Sequence, residues 1–149
     1  MNSYGKLLAI WLFALWPNFS LADELNLRAI DTHGRPLVGN VVLVTFFHDD
    51  ERLQRLELKT DADGEVHFSV CAPVATRMLV AVVPKTNQHW RCNWRGTCGI
   101  SLTPEEALRN GVAFYESEKR AKMKSNPGEI LFVARRWTFW QHLIGPLAK

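Results

Sequence analysis

The chain has 149 residues, room for one domain, and 47% of them are hydrophobic, enough for a core. The formal charge of +3 is spread along the chain. A nucleic-acid binder shows a stronger basic footprint, so that class is set aside.

The first residues speak to compartment. Lys6 is the only charged side chain before Asp23, and an apolar run from Leu7 to Trp16 follows it. That run is about ten residues, half of what a membrane-spanning helix needs. Pro17 breaks it, and Ser20-Leu21-Ala22 places small residues where a signal peptidase reads. The layout predicts a secretory signal over residues 1–22, cleaved after Ala22, and a periplasmic or secreted mature protein. No cysteine sits at the cleavage point to take a bacterial lipid anchor.

From Asp23 to Pro84 apolar residues recur with period two, the strand signature. Leu25, Leu27 and Ala29 alternate with Asn26, Arg28 and Ile30, and a turn follows over 31–36. Val41 to Phe47 is apolar on both faces, as in a strand covered on each side. His48-Asp49-Asp50-Glu51 reads as a polar loop, and Leu56 and Leu58 resume the alternation. Thr60-Asp61-Ala62-Asp63-Gly64 is a turn with glycine at a positive-φ position. Val66, Phe68 and Val70 mark the next strand, and Met78 to Val83 another two-faced apolar one. Short strands at this spacing predict a sandwich, since no strand leads into a helix long enough for a parallel crossover.

Lys85 to Gly99 reads as a long loop. Thr103-Pro104-Glu105-Glu106 starts a helix: threonine caps, proline suits the first turn, and Glu106 stands three residues on as in a capping box. Gly111 ends it, which predicts a helix over 104–110. Val112 to Tyr115 is a short edge strand. Glu116 to Ser125 is a charged loop or frayed helix with Glu116–Arg120 and Glu118–Lys122 at i,i+4 spacing. Asn126-Pro127-Gly128 is a turn, and Ile130 to Ala134 the last apolar strand. The expected organisation is a signal over 1–22, a β-sandwich domain over 23–136 and an amphipathic aromatic tail over 137–149.

Two of these turns carry a family resemblance. Asp31, Gly34, Pro36, Leu37, Gly39 and Val41, then Thr60, Asp61, Gly64 and Phe68, resemble the carboxypeptidase regulatory-like domain. The resemblance implies an all-β, transthyretin-like (prealbumin-like, Ig-like) sandwich that binds, spaces or stabilises. One transthyretin-like subfamily hydrolyses hydroxyisourate, but its C-terminal Tyr-Arg-Gly-Ser signature is missing, and Trp94-Arg95-Gly96-Thr97 lies elsewhere in the chain. No catalytic residue is carried over, because fold does not imply function.

The candidate chemistry is thin. Cys71 needs a base to act as a nucleophile, and His67, four residues away along a strand, is about 13 Å off. His33 and His89 remain as partners from other strands. His48-Asp49-Asp50-Glu51 reads as a solvated loop rather than a metal site, because strand neighbours point to opposite faces. Asp61-Ala62-Asp63-Gly64 fails as a calcium loop: counted from Asp61, Val66 stands where glycine is required and Ala72 where glutamate is. No cofactor and no metal is expected.

Cysteines and tryptophans are more informative. Cys71, Cys92 and Cys98 allow three single pairings, and spacing alone does not choose; the short loop between Cys92 and Cys98, with Gly96 inside it and Gly99 just beyond, makes that pair the expectation. Trp90 and Trp94 flank Cys92, and Trp137 and Trp140 stand in the tail. On a helix, Trp137, Trp140, Leu143, Ile144 and Leu147 form one apolar stripe. Three seats are open to it: the domain's own sheet or the Trp loop, a partner protein, or a membrane surface.

The expectation is a non-enzymatic exported binding or accessory module with a protein partner in the cell envelope. Its working surface would be Trp90, Arg91, Trp94, Arg95, Arg135, Arg136, Trp137 and Trp140, aromatics supplying contact area and arginines orientation. The alternatives are a membrane-surface or envelope-complex component anchored by the tail, and a small thiol- or metal-dependent enzyme using Cys71.

Overall fold

The computed structural model describes residues 23–70, 75–85, 98–116 and 120–135. The elements in chain order are β1 (Glu24–Asp31), β2 (Val41–His48), β3 (Glu51–Lys59), β4 (Glu65–Ser69), β5 (Arg77–Val83), β6 (Cys98–Leu102), α1 (Pro104–Asn110), β7 (Val112–Tyr115) and β8 (Glu129–Ala134). They form two four-stranded sheets, β4-β1-β8-β7 and β3-β2-β5-β6, packed face to face as a β-sandwich.

Period two places the core. Leu25, Leu27 and Ala29 of β1, Val42, Val44 and Phe46 of β2, Val66 and Phe68 of β4, Met78, Val80 and Val82 of β5, and Ile130 and Phe132 of β8 share one buried cluster. Each large side chain so buried contributes about 1.5–3 kcal/mol. Phe114 and Phe132 pack at a ring separation of 5.0 Å and a tilt of 43°, a favoured aromatic geometry.

Several expectations are corrected. β2 and β5 are not covered on both faces: Val41, Leu43, Phe47, Ala81 and Val83 are half-buried and Leu79 is exposed. Conversely, every residue of β8 is buried, as is Ile30 of β1. β6 is not among the expected strands, and its first two residues, Cys98 and Gly99, fall within what reads as loop. Its Gly99 sits opposite Ala81, and a Cβ there would stand 3.0 Å from the Val80 carbonyl oxygen, so the close approach of β6 to β5 uses the glycine that hides the strand in the sequence. The polar loop expected at His48 to Glu51 is a tight turn, Asp49-Asp50, between the end of β2 and the start of β3, with Asp49 at φ 51° and its N–H bonded to the Thr76 hydroxyl.

α1 occupies the expected residues. Thr103 caps it by accepting the Glu106 N–H, and Gly111 ends it at φ 66°. The Glu106 carboxylate, however, takes the Arg120 guanidinium. Glu116 accepts the backbone N–H of Arg135, so the Glu116–Arg120 pair expected from helical spacing does not form. Residue 118 of the second expected pair lies outside the described residues. Arg120 and Ala121 instead run antiparallel along the free edge of β7. β8 is parallel to both β1 and β7, an arrangement the period of the pattern does not encode.

Candidate binding surface

The pairing registers sort the strand ends. Val83 is opposite Val41, which is opposite Lys59; Cys98 is opposite Val82; Ala134 is beside Asp31; Val133 is beside Tyr115. The turn from β3 to β4 ties the two sheets at this end, since Ala29 donates to the Gly64 carbonyl and Gly39 to the Thr60 carbonyl. One end of the sandwich therefore holds the ends of β1, β3, β5, β7 and β8 and the starts of β2, β4 and β6.

That end is built by the two turns singled out in the sequence. Asp31 accepts the N–H groups of His33 and Arg35 and the Arg35 Nε. Burial pushes its carboxyl pKa up, but these hydrogen bonds and the Arg35 charge outweigh burial and hold it below the ordinary value. Asp61 accepts the N–H groups of Asp63 and Glu65, each at 2.9 Å. Thr60 Oγ1 donates to the Leu37 carbonyl at 2.6 Å and accepts the Asn40 N–H at 2.9 Å. Gly64, at φ 77°, lies so close to the other turn that a Cβ would meet the Ala29 oxygen at 2.6 Å and Pro36 Cβ at 3.1 Å. The two turns form one interlocked unit: the Thr60 hydroxyl, Asp61 Oδ1 and Asp31 Oδ1 are spent on backbone, and Asp31 Oδ2 on the Arg35 guanidinium.

Asn40 extends this unit to the loop. Its Oδ1 accepts the Lys85 N–H at 3.1 Å, fixing the chain where it leaves β5. Sequence reasoning named Thr60 in its turn but passed over Asn40; an Asn after a turn glycine is a signal, but one shared with ordinary turns.

Of the expected surface, Arg135 is described: it is exposed just past β8, its backbone held by Glu116. Cys98 is fully buried at the start of β6 and is disulfide-bonded. Trp90, Arg91, Cys92, Trp94, Arg95, Arg136, Trp137 and Trp140 lie outside the described residues, as do Cys71, His89, the signal and the tail. The segment 86–97 nonetheless departs after Lys85 and returns at Cys98, and the tail departs after Arg135, all at the same end.

The opposite end holds the β2–β3 turn and a shallow depression of about 240 Å³ lined by Asn110, Arg120, Met123 and Lys124 among others. Arg120 there is committed to Glu106. His67 lies 3.8 Å from a Glu65 carboxylate oxygen and is mostly exposed. Among the described residues no three His, Cys, Asp or Glu side chains converge as a metal site, and no helix is long and apolar enough to cross a membrane.

No family model matches the chain, and no curated protein matches it in sequence. Among solved structures, the C-terminal domain of the Caf1A usher, whose conserved surface hydrophobic clusters are reported as important for F1 antigen assembly, aligns at 9% identity over 76% of this chain and 94% of that one. The TM-score is 0.33, too low to support any inference about this chain.

Proposed function

We propose that the mature chain is an exported, non-enzymatic binding or accessory module of the cell envelope. It docks a protein partner through the aromatic and basic side chains Trp90, Arg91, Trp94, Arg95, Arg135, Arg136, Trp137 and Trp140. The observation that carries this reading is the shared end: the roots of the tryptophan loop at Lys85 and Cys98 and the root of the tail at Arg135 leave the sandwich together. Roots some forty positions apart in sequence thereby meet at one end, which supports a shared surface of arginine and tryptophan anchors.

The bridge at Cys98 joins Cys92. Cys71 follows Val70, whose N–H is bonded to the Asp23 carbonyl at the start of β1, the far end of the sandwich. That end is roughly 15 Å from Cys98 along the strand direction, and a disulfide spans no more than about 7 Å between Cα atoms. The Cys92–Cys98 bridge closes the loop that presents Trp94 and Arg95, and its oxidised state suits a periplasmic or secreted location. The interlocked Asp31–Gly34 and Thr60–Gly64 turns support membership of the carboxypeptidase regulatory-like, transthyretin-like group, read as a binding scaffold.

A photo-crosslinking amino acid placed at position 94 or 135, and as a control at Asp50 on the other end, tests the reading in the native envelope. A discrete crosslinked protein from 94 and 135, absent from position 50 and weakened by Arg95→Ala, is the expected result. Equal crosslinking from both ends, or none from 94 and 135, overturns it.

A further inference from the structure

We infer that the outer face of the sheet β4-β1-β8-β7 is the seat of the chain's own C-terminal segment, Trp137 to Lys149, with the Trp137–Trp140 stripe turned inward on Ile30, Leu131 and Val133. This deepens the proposed function and rests on it for one consequence: the partner-facing residues narrow to Trp90, Arg91, Trp94, Arg95, Arg135 and Arg136.

Ile30, Leu131 and Val133 point away from the main core, since their strand neighbours Ala29, Ile130, Phe132 and Ala134 point into it. They form a separate cluster and are 6%, 1% and 1% exposed. The partly buried apolar residues packed against them are Ala113, Tyr115 and Ala121, and Arg28 stands beside Leu131 in register on the β1 side. Ala113 and Tyr115 are the β7 residues beside Leu131 and Val133 in register, and Ala121 lies at the β7 edge. Side chains on one sheet face stand roughly parallel, so flanking neighbours shade one another's sides and leave the tops open. The other sheet is the internal control. Leu79 on its outer face is flanked by Thr45 and Ser101 yet 38% exposed. Phe47 is only half-buried although the Arg77 guanidinium stacks 4.3 Å from its ring centroid. Near-complete burial of Leu131 and Val133 therefore calls for a layer above the sheet, which packs about 10 Å away.

Geometry selects the occupant. The tail leaves from the end of β8, the strand that carries Leu131 and Val133. Folded back as a helix as far as Gly145-Pro146, which interrupts it, the stripe from Trp137 to Ile144 is about 12 Å long, and Leu147 beyond the break carries it on toward the roughly 20 Å of the six-residue β8. Leu143 and Ile144 complete the helix's apolar side, and Gln141 falls off it. The N-terminal segment 1–22, by contrast, enters at the far end of β1 and is expected to be removed on export.

The test uses the protein recovered after export, and the same protein ending at Arg136, in carbene footprinting read by mass spectrometry. Leu131 and Val133 should be protected in the full chain and labelled several-fold more in the shortened one. Protection that survives the truncation overturns the assignment. Should the shortened chain not fold, Leu131→Asp in a full chain carrying Trp90→Phe and Trp94→Phe replaces it: acrylamide quenching of Trp137 and Trp140 should rise several-fold, and unchanged quenching overturns the assignment. Flotation of the full chain with phosphatidylglycerol vesicles, lost on truncation, likewise overturns it, because the stripe would then face lipid. Failure here leaves crosslinking at position 94 untouched, whereas loss of that crosslink with Leu131 still protected counts against the binding reading alone.

Discussion

Thr60→Val is a direct probe of the unit that ties the two sheets together. The side chain is buried, and its hydroxyl serves the Leu37 carbonyl and the Asn40 N–H at once. Valine has nearly the same shape, so the cavity left is small and the loss is polar. Each hydrogen bond contributes about 1 kcal/mol net, and each buried group left unpaired costs about 1–3 kcal/mol. The two accounts overlap, which puts the total at about 2–4 kcal/mol. Against the 5–15 kcal/mol typical of a whole domain, that is about a quarter of the stability. The melting temperature should fall by about 10 °C. Thr60→Ser keeps the hydroxyl and should lose about 1 kcal/mol or less. Urea unfolding at constant m-value gives both numbers. If Thr60→Val unfolds at the same midpoint as Thr60→Ser, the hydroxyl is not the link and the reasoning fails.

Gly34→Ala and Gly64→Ala separate two reasons for a turn glycine. Both have φ 77°, but a Cβ at Gly34 meets nothing within 4 Å, whereas at Gly64 it strikes the Ala29 oxygen at 2.6 Å. Calorimetry should give about 1 kcal/mol for Gly34→Ala and at least twice that for Gly64→Ala. Asp31 predicts an acid-limb effect. Its folded pKa is lowered, so its contribution is full above the ordinary carboxylate value and is lost as pH falls through the folded one. The stability difference between the native chain and Asp31→Asn should be flat above about pH 4 and shrink below it, read by urea midpoints across acid pH. Thr103→Ala removes the acceptor for the Glu106 N–H and should cost about 1 kcal/mol, measured the same way. A loss under a few tenths would mean the cap is replaced by water.

The elements carried by local rules were legible from the residues alone. β1 and β4 follow from period two, because a pleated strand sends alternate side chains to opposite faces whatever it pairs with. The bounds of α1 follow from Thr103, Pro104 and Gly111, all acting within one turn of helix. The glycine at position 64 declares its positive φ through the turn residues around it. What tertiary structure alone decided is everything that depends on which strand lies next to which. β6 exists because β5 offers a free edge and Gly99 lets it come close. Arg120 leaves Glu116 for Glu106 because the chain at 120–121 is laid along β7 rather than wound into a helix. The loop roots at Lys85 and Cys98 meet the tail root at Arg135 because β8 runs parallel to β1 while β5 runs antiparallel to β2. Periodicity records which face of a segment is greasy. Direction, neighbour and end are settled only when distant segments share one core, since that choice minimises exposed apolar area over the whole chain rather than over any window of it.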